Sequence, residues 1–202
     1  FYSGVRPAIN VGISVSRVGG NAQITPMRKV AGRLKLELSQ FRELEAFAQF
    51  GSELDPETQR TLARGERLVR TLNQSERSPL PVEDQVIQIY AATNGYLDRI
   101  NVDRVQRFLA ELTDQVRGNE PELLKRIAEG NWDEDTQSQA QQAVERFAED
   151  FGFDLDEEGH PLEDEADAGK ADRGRAQDGR REDEPRGDGG RPAEREGAAQ
   201  AA

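Results

Sequence analysis

Apolar residues recur at three- and four-residue spacing through most of this chain, which is the period of an amphipathic helix. Thr25 is predicted to be the N-cap of the first helix, with Pro26 at its first position and Gly51-Ser52 at its end. Its apolar face is expected to carry Met27, Val30, Leu34, Leu38, Phe41, Leu44 and Phe47. Because such a face must be buried, the chain is expected to fold as a mainly α helical bundle.

Five further helices are predicted, joined by short turns. The second helix begins at Asp55-Pro56 and turns Leu62, Val69 and Leu72 inward, and a turn over 75–81 follows it. The later helices are expected over Glu83 to Thr93, Asn101 to Gly118-Asn119, Pro121 to Gly130-Asn131 and Asp133 to Phe151. Short connections favour antiparallel neighbours, so the pattern predicts an antiparallel bundle of about six helices.

Composition excludes several classes of protein. The chain has no cysteine, which rules out disulfides, zinc–thiolate sites and thiol catalysis. No apolar run approaches the ~20 residues that span a bilayer as a helix. The net charge is −12, with no basic stripe to neutralise phosphates, which argues against a nucleic-acid partner.

The last 46 residues, 157–202, differ from the rest in composition. They contain fourteen acidic and eight basic residues, no aromatic residue, and Leu162 as the one large aliphatic residue. Such a segment buries too little apolar surface to offset its ordering entropy. It is expected to be a disordered, acidic, Gly/Ala-rich tail.

Near the other end, residues 8–18 are rich in β-branched side chains and are predicted to form a strand. Alternation along that strand would place Ser14 on one face and Arg17 on the other. Arg17 is followed by Gly19-Gly20, where backbone can approach a partner closely. A guanidinium is planar, charged and forked, which suits phosphate oxygens. The alternative is that Arg17 is a solvated surface residue.

Three long blocks resemble the C-terminal third of the alpha subunits of F-type ATP synthases. They are FYSGVRPAINVGISVSRVGGNAQ, MRKVAGRLKLELSQFRELEAFAQFGSELD and SPLPVEDQVIQIYAATNGYLD. The resemblance covers residues 1–153 and implies that the chain is a C-terminal fragment. The double glycine and the acidic extension resemble the actinobacterial branch of this family.

The resemblance implies roles for five residues. In that family, the arginine at the position of Arg17 is an arginine finger that reaches the γ-phosphate in the catalytic site of the adjacent beta subunit. Ser14 is similar to a serine needed for activity in the family, which implies a catalytic role in support of the same loop. Arg6 and Pro7 match residues beside the adenine of the alpha subunit's own non-catalytic nucleotide, and Gln74 matches a second adenine-side contact. Two residues further on, Glu76 replaces a common glutamine, so an amide donor is lost there.

The resemblance also implies that the chain consists of three parts. Residues 1–23 would be the end of an α/β nucleotide-binding domain, 24–156 the C-terminal helical domain, and 157–202 the tail. The family's phosphate loop, GxxxxGK[ST], is not present in this sequence. ATP or ADP with Mg²⁺ is therefore expected to bind the full-length subunit, while this chain alone is expected to bind nucleotide weakly and to be inactive. No metal site is predicted within it.

The implied assembly is an alternating hexamer of three alpha and three beta subunits around a gamma stalk. It would make ATP from ADP and phosphate with a transmembrane proton gradient, at the cytoplasmic side of the bacterial plasma membrane, without inserting into it.

Two other interpretations of the chain's function stay open. One is a free helical adaptor whose acidic tail binds basic partners, and the other is a regulatory subunit of a related rotary ATPase. The tail itself has two candidate roles, which are restraint of ATP hydrolysis and simple solubilisation.

Overall fold

Helices form the architecture, as the apolar spacing predicts. A computed structural model of the chain describes residues 5–9, 18–48, 54–156 and 158–162. In these ranges the helices are α1 Gly19–Ala22, α2 Thr25–Val30, α3 Leu34–Ala48, α4 Pro56–Thr71, α5 Val82–Thr93, α6 Val105–Asn119, α7 Pro121–Ala128 and α8 Glu134–Phe151. A 3-10 turn over Val102–Arg104 leads into α6. The mainly α fold class is confirmed.

The prediction of the first helix is wrong in three details. It is divided into α2 and α3 by a turn at residues 31–33, where Gly32 lowers helix propensity. Ile24 is the N-cap, so Thr25 is already helical. Phe47, expected in the core, is 70% exposed.

The predicted strand over residues 8–18 lies mostly outside the described residues. Ala8 and Ile9 are irregular, and Val18 lies in a turn that leads into α1. Within the described ranges the one β-type pairing is an antiparallel bridge between Leu155 and Pro161.

The core takes buried side chains from α2 to α8. Phe108 of α6 is fully buried, and its ring packs edge-on against Phe147 at 4.9 Å and Phe151 at 5.0 Å between centroids. On α4, Leu68 is 1% exposed, whereas the three residues predicted to point inward are only partly buried. The inward face of α4 is therefore centred on Leu68, which belongs to the hydrophobic core. Helix α4 itself contacts α3, α5 and α6.

Two carboxylates cap α4 and α8, at the positions where the sequence predicts these helices to begin. Asp55 accepts a hydrogen bond from the Thr58 backbone N–H at 3.0 Å, and Asp133 accepts one from that of Thr136 at 2.8 Å. These bonds satisfy first-turn donors. Hydrogen bonds from Thr58 and Thr136 also hold the pKa of each carboxyl below its ordinary value.

The chain folds back after α8, where backbone hydrogen bonds hold residues 154–156 and 158–162. Arg99 is the anchor, because its carbonyl accepts from the Asp154 and Leu155 N–H groups and its Nε donates to the Leu155 carbonyl at 2.9 Å. The Leu162 N–H donates to the Asp154 carbonyl at 2.8 Å. The expected disorder of the tail beyond Leu162 concerns residues outside the described part of the chain.

Helices α3 and α4 approach closely at a glycine. A Cβ built on Gly65 would lie 2.3–2.6 Å from the Cδ2, Cγ and Cβ atoms of Phe41. Phe41 is itself 6% exposed, so its ring has little room to move. The α3–α4 contact therefore depends on the absence of a side chain at position 65.

Gly65→Ala is expected to lower the free energy of unfolding by about 1–2 kcal/mol, because overpacking outweighs the gain in helix propensity. Gly118→Ala is the matched control, since Gly118 is helical and has nothing within 4 Å of an added Cβ. It is expected to be neutral or to stabilise by up to about 1 kcal/mol. Urea unfolding of the 202-residue chain measures both, and equal effects would contradict the close packing.

Candidate functional site

A small cavity lies where the segment 5–9 meets α3 and the C-terminal end of α4. Its volume is about 150 Å³. Apolar side chains form most of the wall, and polar groups come from both the segment and the residues that follow α4. The lining residues are Val5, Arg6, Pro7, Ile9, Leu38, Arg42, Val69, Leu72, Asn73 and Gln74.

Backbone contacts join the two sides of this cavity. The Gln74 N–H donates to the Arg6 carbonyl at 2.9 Å, and the Arg6 N–H donates to Oδ1 of Asn73 at 3.0 Å. The Ile9 N–H donates to the Pro7 carbonyl at 2.7 Å, which turns the segment. Arg6, Pro7 and Gln74, which sequence reasoning singled out for one ligand, therefore line one cavity.

The size and chemistry of the cavity suit a flat ring. A protein cavity of about 150 Å³ lined by apolar residues is large enough to admit benzene. Here the Gln74 amide can both donate and accept. Arg42 adds a cation, paired with Glu45 at 2.6 Å and placed 5.6 Å from the Phe41 ring centre. The cavity can hold a planar ring with polar edges, and it is too small for a whole nucleotide.

Glu76 lies outside the cavity. Its side chain is 88% exposed and its Oε1 lies 3.6 Å from Nε of Arg77, which is itself exposed. The structure thus brings one of the two loop positions, Gln74, to the cavity wall.

Ser14 and Arg17 lie outside the described residues, so their expected roles stay predictions. The described chain resumes at Val18, which is 67% exposed and whose carbonyl accepts from the N–H groups of Asn21 and Ala22. Arg28 of α2 holds this turn, since its Nε donates to the Gly20 carbonyl at 2.9 Å and its Nη2 to the Gln23 carbonyl at 3.1 Å. Sequence reasoning missed Arg28, because an exposed arginine on a short helix gives no periodic signal.

A second, larger groove of about 890 Å³ lies between the first half of α4 and the residues around His160. Two of its arginines are engaged with the protein itself. Arg64 donates to Oδ2 of Asp98 at 2.8 Å, and Arg67 donates to the Ile100 carbonyl at 2.8 Å. No group of three metal-ligating side chains occurs within the described ranges.

Residues 23–147 match a protein-family model described as "ATP synthase alpha/beta chain, C terminal domain". The chain belongs to this ATP synthase family. Its member from Aquifex aeolicus (strain VF5), named ATP synthase subunit alpha, is 52% identical over 152 residues, which are 75% of this chain and 30% of that relative. The resemblance to alpha subunits is therefore confirmed.

The aligned part of this chain spans only 30% of the length of that relative. The family match covers α2 to α7 and most of α8. Within the described ranges no helix is both long enough and apolar enough to cross a membrane.

Arg28→Ala is expected to loosen the turn that follows Arg17. The amides of Asn21 and Ala22 should exchange with solvent about fivefold faster, since hydrogen bonds of ordinary net strength are lost. Lys29→Ala, at an exposed position of the same helix, is the control and should leave both rates unchanged. Amide exchange by NMR measures this, and unchanged rates in Arg28→Ala would show that Arg28 does not hold the turn.

Proposed function

We propose that this chain is the C-terminal part of a regulatory, non-catalytic alpha subunit of a rotary F-type ATP synthase. The complex would make ATP from ADP and phosphate with a transmembrane proton gradient. The observation that carries this proposal is the 52% identity to a protein named ATP synthase subunit alpha, over 152 residues. The placement of Arg6, Pro7 and Gln74 around one cavity supports it independently.

The cavity would receive the adenine ring of the subunit's own ATP or ADP. Pro7 and the apolar wall would cover the ring faces, and the Arg6 segment and Gln74 would supply polar contacts at its edge. Because the cavity is only ring-sized, the phosphates and Mg²⁺ would be held by other parts of the full-length subunit. The 202-residue chain alone should then bind nucleotide weakly and turn none over.

Arg17 would act in trans on the neighbouring beta subunit. A guanidinium that contacts the γ-phosphate stabilises the charge of the transition state without itself taking or giving a proton. Ser14 would support the loop that presents Arg17. The turn held by Arg28 follows Arg17 directly, and it would limit the freedom of the loop at that end.

The proposed partners are beta subunits, in an alternating hexamer of three alpha and three beta chains, the gamma stalk and other synthase subunits. The proposed location is the cytoplasmic side of a bacterial plasma membrane, with attachment through the complex.

In the assembled enzyme, Arg17→Ala is expected to cut ATP turnover by about 10³-fold or more. Arg17→Lys should also fall by orders of magnitude, because lysine keeps the charge and loses the fork. Assembly, judged by subunit stoichiometry, should be normal. Arg146→Ala, an exposed position on α8, is the control and should retain turnover. Near-normal turnover of an assembled Arg17→Ala enzyme would refute the finger role.

A further inference from the structure

We propose that Asn73 and Gln106 are positioning residues that keep the cavity open at a fixed width. Neither residue was singled out by the sequence. This inference rests on the proposed function only for the identity of the ligand, because the contacts themselves are properties of the fold.

Asn73 joins the two sides of the cavity from the residues just after α4. Its side-chain Oδ1 accepts from the Arg6 N–H at 3.0 Å, and the next residue, Gln74, donates its N–H to the Arg6 carbonyl at 2.9 Å. Both backbone polar groups of Arg6 are therefore bound to two consecutive residues. This pair of bonds fixes the distance between the segment 5–9 and the end of α4.

Gln106 supports the same residues from α6. Its Nε2 donates to the Arg70 carbonyl and lies 3.5 Å from the Asn73 carbonyl. The Arg70 carbonyl, which also accepts from the Asn73 N–H at 3.1 Å, lies in the last turn of α4, where an added side-chain donor stabilises the helix end. Gln106 thus ties the wall of the cavity to a helix that belongs to the buried core.

Asn73 accepts its hydrogen bond, whereas Gln106 donates its own. Substitutions that change only the donor or acceptor character can therefore separate a positioning role from a role in packing. Asn73 works as an acceptor, so Asn73→Asp keeps its contact and Asn73→Ala loses it. Gln106 works as a donor, so Gln106→Glu, which has nearly the same shape, loses the contact and sets a carboxylate against carbonyls. A role in packing alone would leave Gln106→Glu nearly unchanged.

The experiment is amide exchange of the 202-residue chain at pH 7. Asn73→Ala and Gln106→Glu should each speed exchange of the Gln74 amide about fivefold, the factor that one hydrogen bond of ordinary net strength supplies. Asn73→Asp should keep the wild-type rate. The matched control is Gln142→Glu, on the exposed face of α8. Unchanged exchange at Gln74 in both Asn73→Ala and Gln106→Glu would overturn the positioning role.

A second arm separates this inference from the proposed function. Adenosine is titrated into the same chain, and methyl shifts of Ile9, Val69 and Leu72 are followed. Shifts in the wild type that weaken in Asn73→Ala and persist in Asn73→Asp support positioning of a ring site. If the wild type shows no shifts, the cavity does not bind the base, and the exchange results still decide the roles of Asn73 and Gln106. Shifts that are equal in all variants would contradict positioning of the ligand.

Discussion

The approach of Gly65 on α4 to the ring of Phe41 on α3 determines where the cavity forms. Helix α3 supplies Leu38 and Arg42 to the wall, α4 supplies Val69, and Leu72 follows directly after α4. Because an added Cβ at position 65 would lie 2.3 Å from the Phe41 ring, the spacing of these helices depends on that glycine. A wider spacing would separate the two halves of the wall, and the segment 5–9 would lose the surface on which it rests.

Two arginines then fix how α4 is rotated. Arg64 donates to Oδ2 of Asp98 at 2.8 Å and to the Thr93 carbonyl at 2.6 Å, while Arg67 donates to the Ile100 carbonyl at 2.8 Å. Burial lowers the pKa of the Arg67 guanidinium, yet an arginine begins so far above neutrality that it stays charged. These ties hold Leu68 in the core and leave the C-terminal end of α4 facing the segment 5–9.

Local signals in the sequence predict most helix ends correctly, because they act over a few residues. The starts at Asp55 and Asp133 and the end of the third predicted helix at Thr93 are of this kind. The sequence fails where a neighbouring element decides the outcome. Leu68 is the buried centre of α4 because of the helices around it, and the split at Gly32 occurs within an otherwise continuous apolar pattern.

In the candidate site, too, some residues could be predicted from the sequence and others depend on the assembled fold. Resemblance alone linked Arg6 and Pro7 with Gln74 across more than sixty residues, and the structure places all three around one cavity. Asn73 and Gln106 escaped notice because they are ordinary polar residues whose contacts exist only after α4, α6 and the segment 5–9 are assembled. No motif or spacing marks them.

The central proposal is that the segment 5–9 and the residues after α4 jointly bind the base of a nucleotide. Photolabelling of the assembled enzyme with an azidoadenine nucleotide, followed by peptide mapping, tests it most directly. The account predicts that label on this chain is found on peptides containing Arg6 to Ile9 or Leu72 to Gln74, and that Asn73→Ala reduces it. Label found on this chain only at the groove around His160 and α4, or nowhere on it, would contradict the claim.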